Sequence, residues 1–411
     1  MRRVVVTGLG MIAPTGGDVA SAWDRALLGR SAIGEISLFD TSALPVRIAG
    51  EVRGFDATEL LGSKAVRQTS RFVQFAAMAG HEALGHAGYE SGRDGERCGC
   101  MIGVAIGGLG EIEESSHVVR DRGAAKVLPH TLPFAIPNMA AGYVAIRHGL
   151  RGPNVAPATA CASGTHAIGE AAMYIHRGDA EMMLAGGAEA AICPLSIASF
   201  AKLRALSRRN DAPELASRPF DADRDGFVMG EGCGLLVLEE LGHARQRGGT
   251  IYAELVGYGL SADAHHITTP SPGGEGLARA IRDALAEARA DPAEVDHINA
   301  HGTSTPTNDT LESEAIAAVF GEHARSISIT STKGVTGHCL GAAGGIEAVY
   351  AVLAVHHGVV PPTANYRTPD PTCPLDYTPG QPRERSIRVA LSNSSGFGGQ
   401  NGVLAFRKWS G

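Results

Sequence analysis

The chain has 411 residues, 44% hydrophobic and 19% charged, with a net charge of −7. That length supports two or three domain-sized units, and the absence of any long acidic, basic or Pro/Ser-rich tract excludes a disordered arm. The acidic balance leaves no sequence-wide basic surface for nucleic acid, no run reaches the ~18 apolar residues of a membrane span, and seven cysteines without a CxxC pair predict reduced thiols in a cytoplasmic protein.

In chain order, "RRVVVTGLG" reads as a buried strand ending in a glycine turn, with no signal-peptide pattern ahead of it. "AWDRALLG" predicts a short helix, and "VRQTSRFVQFAAMAGHEALGHAG" a longer one ending at Gly88. "CGCMIGVAIGG" predicts a strand, the segment after Cys161 a helix, and "AEMMLAGGAEAA" a further strand. The alternation resumes at "TIYAELVGYGLSAD" and continues through "VDHINAHG", "ISITSTKGVTGH", "GGIEAVYAVLAVHHG" and "IRVALSNSSGFGGQNGVLAFRKW". Strands alternating with helices predict parallel sheets covered by helices, divided here into 1–250 and 251–411.

The two halves share a spacing. From Cys161, Gly164, Glu170 and Ala171 follow at the same offsets as Gly341, Glu347 and Ala348 from His338, and each helix carries a tyrosine, Tyr174 or Tyr350. The match is either chance or the trace of a duplicated α/β unit. A duplication makes Cys161 and His338 equivalent helix starts, facing each other across a pseudo-twofold axis.

A cysteine just before a helix sits at the positive end of the macrodipole, which favours thiolate and supplies N–H donors. The alternative is a structural thiol, but Ala160, Ala162, Ser163 and Gly164 leave access around the sulfur. "NAHGTSTPTND" places His301 after a strand, and "STKGVTGHCLGAAGG" carries Lys333 and His338 before a helix; strand ends in α/β sheets hold ligands. Cys161, His301 and His338 include good zinc ligands, yet no short-spaced ligand pair anchors a metal site. "GFGG" at 396–399 lacks the lysine and helix of a phosphate loop and reads as a backbone turn beside the thiol.

Together "ATACASGTHAIGEA", "AHGTSTPTND", "TKGVTGHCLGAAGGIEA" and "NSSGFGGQN" resemble the β-ketoacyl-acyl-carrier-protein synthases, nearest to the elongating Cys-His-His kind, along essentially the whole chain. The resemblance implies the thiolase fold: duplicated α/β halves in five layers, α-β-α-β-α, in a dimer. It implies decarboxylative Claisen condensation of an acyl chain on Cys161 with malonyl-carrier protein. His301 and His338 would stabilise the enolate, and the backbone N–H groups of Cys161 and Phe397 the oxyanion. Lys333 and Glu312 match an ion pair ordering the histidines. Thr303, Thr305 and Thr268 match pantetheine contacts, Phe200 and Phe397 gates, and Ile106 a residue limiting chain length. A basic rim of Lys64, Arg67, Arg71, Lys126, Lys202, Arg204, Arg208 and Arg209 would meet an acidic carrier protein. No cofactor or metal is implied beyond the phosphopantetheine arm of the substrates.

The family pattern N-S-F-G-F-G-G has Ser395 in place of its first phenylalanine here, and Gly334 and Cys339 stand where serine and a larger apolar residue are common. Ser395 widens the gate and points to a specialised polyketide or polyene chain. The alternatives are housekeeping fatty acid elongation, acyl transfer or hydrolysis without decarboxylation, and a mainly structural subunit paired with a catalytic paralogue, the counterpart of a chain-length factor. The dimer partner is an identical subunit or such a paralogue.

Overall fold

The computed structural model describes residues 2–411. Its first half supplies strands β1 (Val4–Ile12), β2 (Cys98–Gly103), β3 (Asn154–Val155), β4 (Met182–Glu189) and β5 (Gly232–Glu240). The second supplies β6 (Ala253–Ala262), β7 (Val295–Asn299), β8 (Ser328–Thr330), β9 (Val389–Gly396) and β10 (Gln400–Lys408). They hydrogen-bond in the order β8-β7-β9-β10-β6-β1-β5-β4-β2-β3.

Counted outward from the β6/β1 seam, each half has the same order: its first, fifth, fourth, second and third strand. Polarity repeats as well. β5 is antiparallel to β1 and β4 while β4, β2 and β3 run parallel, and β10, β9, β7 and β8 copy that arrangement. Only three residue pairs join β1 to β6, so two five-stranded sheets meet along an edge.

Helix α1 (Arg71–Ala87) packs outside the first sheet and ends at Gly88 in the left-handed conformation, as its pattern predicts. Between the sheets lie α2 (Ser163–Arg177) and α5 (Ala343–His357), and outside the second sheet lie α3 (Glu275–Ala288) and α4 (Pro306–Phe320). This is the five-layer α-β-α-β-α thiolase arrangement. It explains the near-continuous apolar strands: in β5, Leu236 and Leu238 enter the central core while Leu235 and Val237 enter the outer one. Helix α5 is buried on every side from Ala343 to Val355, the mark of an interior helix. Small residues let α2 and α5 approach: a Cβ on Gly164 would lie 2.7 Å from the Gly345 nitrogen.

The repeat is real, but its register differs from the sequence match. Both central helices have 15 residues, and each ends at a left-handed glycine, Gly178 or Gly358. Each follows a 3₁₀ turn, Ala160–Ala162 or Leu340–Ala342, whose first residue has φ near +48°. Ser163 therefore corresponds to Ala343 and Cys161 to Gly341, with His338 three residues upstream. Residues three apart share a helix face, so a three-residue slip preserves the small and apolar pattern and produced the apparent match.

Candidate active site

Strand ends converge between the halves. The chain leaves β7 into His301, β8 into Lys333 and β9 into Phe397, while Cys161 stands ahead of α2. Cys161, His301, His338, Thr303, Thr305, Thr268, Phe200, Ile106, Ser395, Phe397 and Arg204 all line one cavity of about 450 Å³. Lys333 and Glu312 lie buried behind it.

The turn that carries Cys161 is locked locally. The Thr159 N–H donates to Ser163 Oγ at 2.9 Å, and that hydroxyl donates to the Ala160 carbonyl at 2.7 Å. Ala160 occupies the left-handed region, a strained conformation that lifts the following residue toward the cavity. The end of β9 lies against this turn, since a Cβ on Gly396 would come within 2.6 Å of the Thr159 carbonyl oxygen. Phe397, the residue after Gly396, lines the same cavity as Cys161, and its backbone N–H favours the charged form of the thiol.

The resting thiol differs from the expected thiolate. Burial pushes Cys161 up to about 12; the positive charge of Lys333 opposes this, Glu189 adds to it, and the Phe397 N–H only partly offsets it. Desolvation of the charged form is the largest of these influences. Because attack requires thiolate, iodoacetamide labelling of Cys161 is expected to accelerate about tenfold per pH unit from pH 6 to 9 with no plateau. Mass-resolved labelling checks this, and a plateau below pH 8 would contradict it.

His301 and His338 meet edge to face with ring centroids 5.4 Å apart. The His301 and Gly302 N–H groups donate to the two oxygens of Glu312 at 2.8 and 2.7 Å, and Asn393 Nδ2 donates to the same carboxylate at 3.2 Å. Lys333 Nζ donates to the His301 carbonyl at 2.6 Å and stands 3.4 Å from its Nδ1. The His338 N–H donates to the Val228 carbonyl at 2.7 Å, and its Nδ1 is buried without a partner. Burial, followed by Lys333, holds both imidazoles well below their ordinary range. Both are neutral, and Lys333 beside Nδ1 leaves the His301 proton on Nε2.

The Lys333–Glu312 ion pair expected from the sequence is not formed. Lys333 pairs instead with Glu347 on α5, while Glu312 serves backbone N–H groups. The two carboxylates approach the His301 loop separately, and only Glu347 reaches the ammonium. Burial pushes Glu347 up to about 7 despite Lys333. Its signal in the sequence was a lone acid in the otherwise apolar stretch "GGIEAVYAVLAV", which an interior helix tolerates only with a partner.

Around the mouth, the Phe200 and Phe397 rings stand 6.4 Å apart, and the Thr303 and Thr305 hydroxyls are 2.9 Å apart. Ser395 Oγ donates to Asn401 Oδ1 at 2.8 Å, and Asn401 Nδ2 donates to Asp263 Oδ1 at 2.8 Å. The wall that is aromatic in the family pattern is therefore polar here. Lys64, Arg67, Lys126, Lys202, Arg204 and Arg208 are exposed, whereas Arg209 donates to the Asp223 carbonyl at 2.6 Å. Arg71 does not belong to the rim. It forks onto buried Glu231 at 2.6 and 2.9 Å and stacks over Phe55 and Phe75, because Glu231 has 0% exposure and needs a cation.

Among the described residues no group of three or more His, Cys, Asp or Glu side chains is arranged to hold a metal ion, and no helix is long and apolar enough to cross a membrane. The Beta-ketoacyl synthase N-terminal domain matches residues 1–244 and the Beta-ketoacyl synthase C-terminal domain residues 252–367. A 3-oxoacyl-acyl-carrier-protein synthase 2 of Synechocystis is 50% identical over 99% of this chain and 98% of its own. The protein of that name from Coxiella burnetii is 48% identical over 99% of both. Among solved structures, a type II PKS ketosynthase in complex with its acyl-carrier protein, bound to the hexaketide, superposes with a TM-score of 0.92 at 39% identity over 100% of both chains. The ishigamide ketosynthase/chain length factor does so with 0.92 at 36% over 100% of both. With the Cys161 turn, the paired imidazoles and the duplicated five-layer frame already described, these likenesses place the chain in the β-ketoacyl synthase family.

Proposed function

We propose that the chain is an elongating β-ketoacyl-acyl-carrier-protein synthase acting through an acyl-Cys161 thioester. The observation that carries this reading is one cavity containing a helix-end sulfur and two buried neutral imidazoles. Cys161 Sγ attacks the carbonyl carbon of an acyl thioester on a phosphopantetheine arm, and the oxyanion rests on the N–H groups of Cys161 and Phe397. Collapse expels the pantetheine thiolate, which takes the proton that Cys161 gives up.

Malonyl-carrier protein then enters. Its carboxylate leaves as CO2, the bonding electrons pass into the thioester as an enolate, and the Nε2–H groups of His301 and His338 hold the enolate oxygen. The enolate carbon attacks the acyl carbonyl on Cys161, and the Cys161 thiolate departs and takes up a proton. The product is a β-ketoacyl chain two carbons longer. Lys333, Glu347 and Glu312 act by positioning His301.

No resident cofactor or metal is required, since the substrates arrive on the carrier arm. Lys64, Arg67, Lys126, Lys202 and Arg204 form the rim for an acidic carrier protein. The short edge strand β3 supplies a face for a second ketosynthase-fold chain, identical or a chain-length-factor paralogue. The two halves divide at residues 250 and 251, and the protein works in the cytoplasm.

The polar wall at Ser395 favours a wide, unsaturated or oxygenated acyl chain over housekeeping elongation. The test is to offer carrier proteins bearing saturated, polyunsaturated and β-keto chains without malonyl donor, and to weigh the Cys161 adduct. Preferential loading of the unsaturated or β-keto chains is expected, with Ser395→Phe shifting loading toward saturated ones. Exclusive loading of saturated chains by the unmodified enzyme would remove the specialised reading, and no adduct at all would remove the ketosynthase reading.

A further inference from the structure

One deeply buried carboxylate takes no part in the chemistry above. Glu189, the last residue of β4, has 0% exposure and accepts hydrogen bonds from four backbone N–H groups: Ala105 at 2.8 Å, Gly107 at 2.9 Å, and Ile106 and Gly341 at 3.2 Å each. The other carboxylates this deeply enclosed, Glu51, Asp221, Glu231, Glu239, Asp309 and Glu347, each face an arginine or lysine within salt-bridge reach. Among the described residues only Glu189 and Glu312 lack one. Glu312 holds the loop of His301, and Glu189 does the equivalent elsewhere.

It holds two pieces together. One is the loop at 105–107, which carries Ile106 into the cavity; the other is the Leu340–Ala342 turn, the pseudo-symmetric counterpart of the nucleophile turn. They touch directly: a Cβ on Gly341 would lie 2.4 Å from the Ala105 nitrogen and 2.8 Å from Glu189 Oε2. Four converging donors suit an ionised carboxylate, which is acceptor-only and offers about four lone-pair sites. Glutamine would turn an NH2 group against at least one of them. A buried carboxylate without a cation is unfavourable, and burial raises Glu189 to about 7 against the pull of those N–H groups. An apolar residue would spare the charge but leave those four N–H groups unpaired, so the carboxylate is explained by what it fastens.

We propose that Glu189 is a positioning residue that sets the depth of the acyl cavity: by pinning the Ile106 loop to the turn after His338, it fixes the longest acyl chain that Cys161 accepts. The inference rests on the ketosynthase reading above. Its readout is the loading rate of Cys161 with saturated acyl-carrier proteins of increasing length, followed by mass spectrometry. Glu189→Gln is expected to extend the longest efficiently loaded chain by roughly two carbons or more, as a floor that loses its tether yields to longer ligands. Ile106→Ala is expected to extend it similarly, and the double variant to extend it no further than Ile106→Ala alone, because both act through one loop.

A uniform loss of rate at every length would overturn the proposal, as would additive extensions in the double variant. Should Glu189→Gln not fold, Glu189→Asp keeps the charge while withdrawing it from the loop; an unaltered length profile in that variant overturns the proposal equally. A wild-type enzyme that loads no chain would instead overturn the ketosynthase reading.

Discussion

Replacing His301 with alanine is expected to cut CO2 release from malonyl-carrier protein by roughly 10²–10³-fold while acyl loading of Cys161 continues. The two half-reactions use different donors. In the proposed mechanism, loading places its negative charge on an oxygen held by the backbone N–H groups of Cys161 and Phe397, which the substitution leaves in place. Decarboxylation, in the same mechanism, places its charge on an enolate oxygen that the side-chain Nε2–H groups would hold. Burial holds both histidines well below their ordinary range, so they remain neutral donors as pH falls through the usual imidazole range near 6.5. The decarboxylation rate of the unmodified enzyme should accordingly show no histidine step there. Radiometric CO2 release, with adduct mass measured in parallel, checks both halves. Unchanged CO2 release in His301→Ala would remove the enolate role and leave acyl transfer without condensation as the better reading.

The residues proposed to touch substrate were legible because each stands at a punctuation point of the chain. Cys161 precedes a helix amid small residues, and His301 follows a strand in a hydroxyl-rich loop; both patterns report local geometry. What lay outside the reach of local pattern was partnership. Lys333 has two carboxylates to choose from, and the choice of Glu347 over Glu312 depends on how α5 packs between the sheets. Arg71 looked like one more surface cation, and only the burial of Glu231 shows why it is held inward. Glu189 had a signal of its own, a single acid at the end of the apolar run "MMLAGGAE", but its partners are backbone groups of a distant loop. The repeat was visible as composition and misread in register, because one helix face tolerates a three-residue slip. Charge in the site was also beyond local reading: the helix end argues for thiolate, and burial pushes the Cys161 thiol the other way.

Lys333→Met is expected to lower stability by about 3–5 kcal/mol, the usual effect of leaving one member of a buried ion pair uncompensated. For a chain of this length that corresponds to a Tm lower by roughly 3–6 °C, measurable by scanning calorimetry. The pair is 1% and 2% exposed, so solvent screens little of it. The sign of the pH dependence follows from Glu347, whose carboxyl burial raises toward 7 even beside Lys333. A carboxyl raised in the folded state binds its proton more readily there than in the unfolded chain, so folding loses free energy as pH rises from the ordinary carboxyl range through 7. Removing Lys333 raises that carboxyl further, and the Lys333→Met deficit should widen toward alkaline pH and shrink near pH 5. Adding Glu347→Leu removes the orphaned charge and is expected to restore most of the lost stability, since apolar replacements of buried pairs are often neutral or better. Decarboxylation should not return with it, because Lys333 also holds the His301 carbonyl and faces its Nδ1. A stable double variant that regained normal CO2 release would show that the pair supports the fold alone; a stable one that stayed slow would tie Lys333 to the orientation and proton placement of His301.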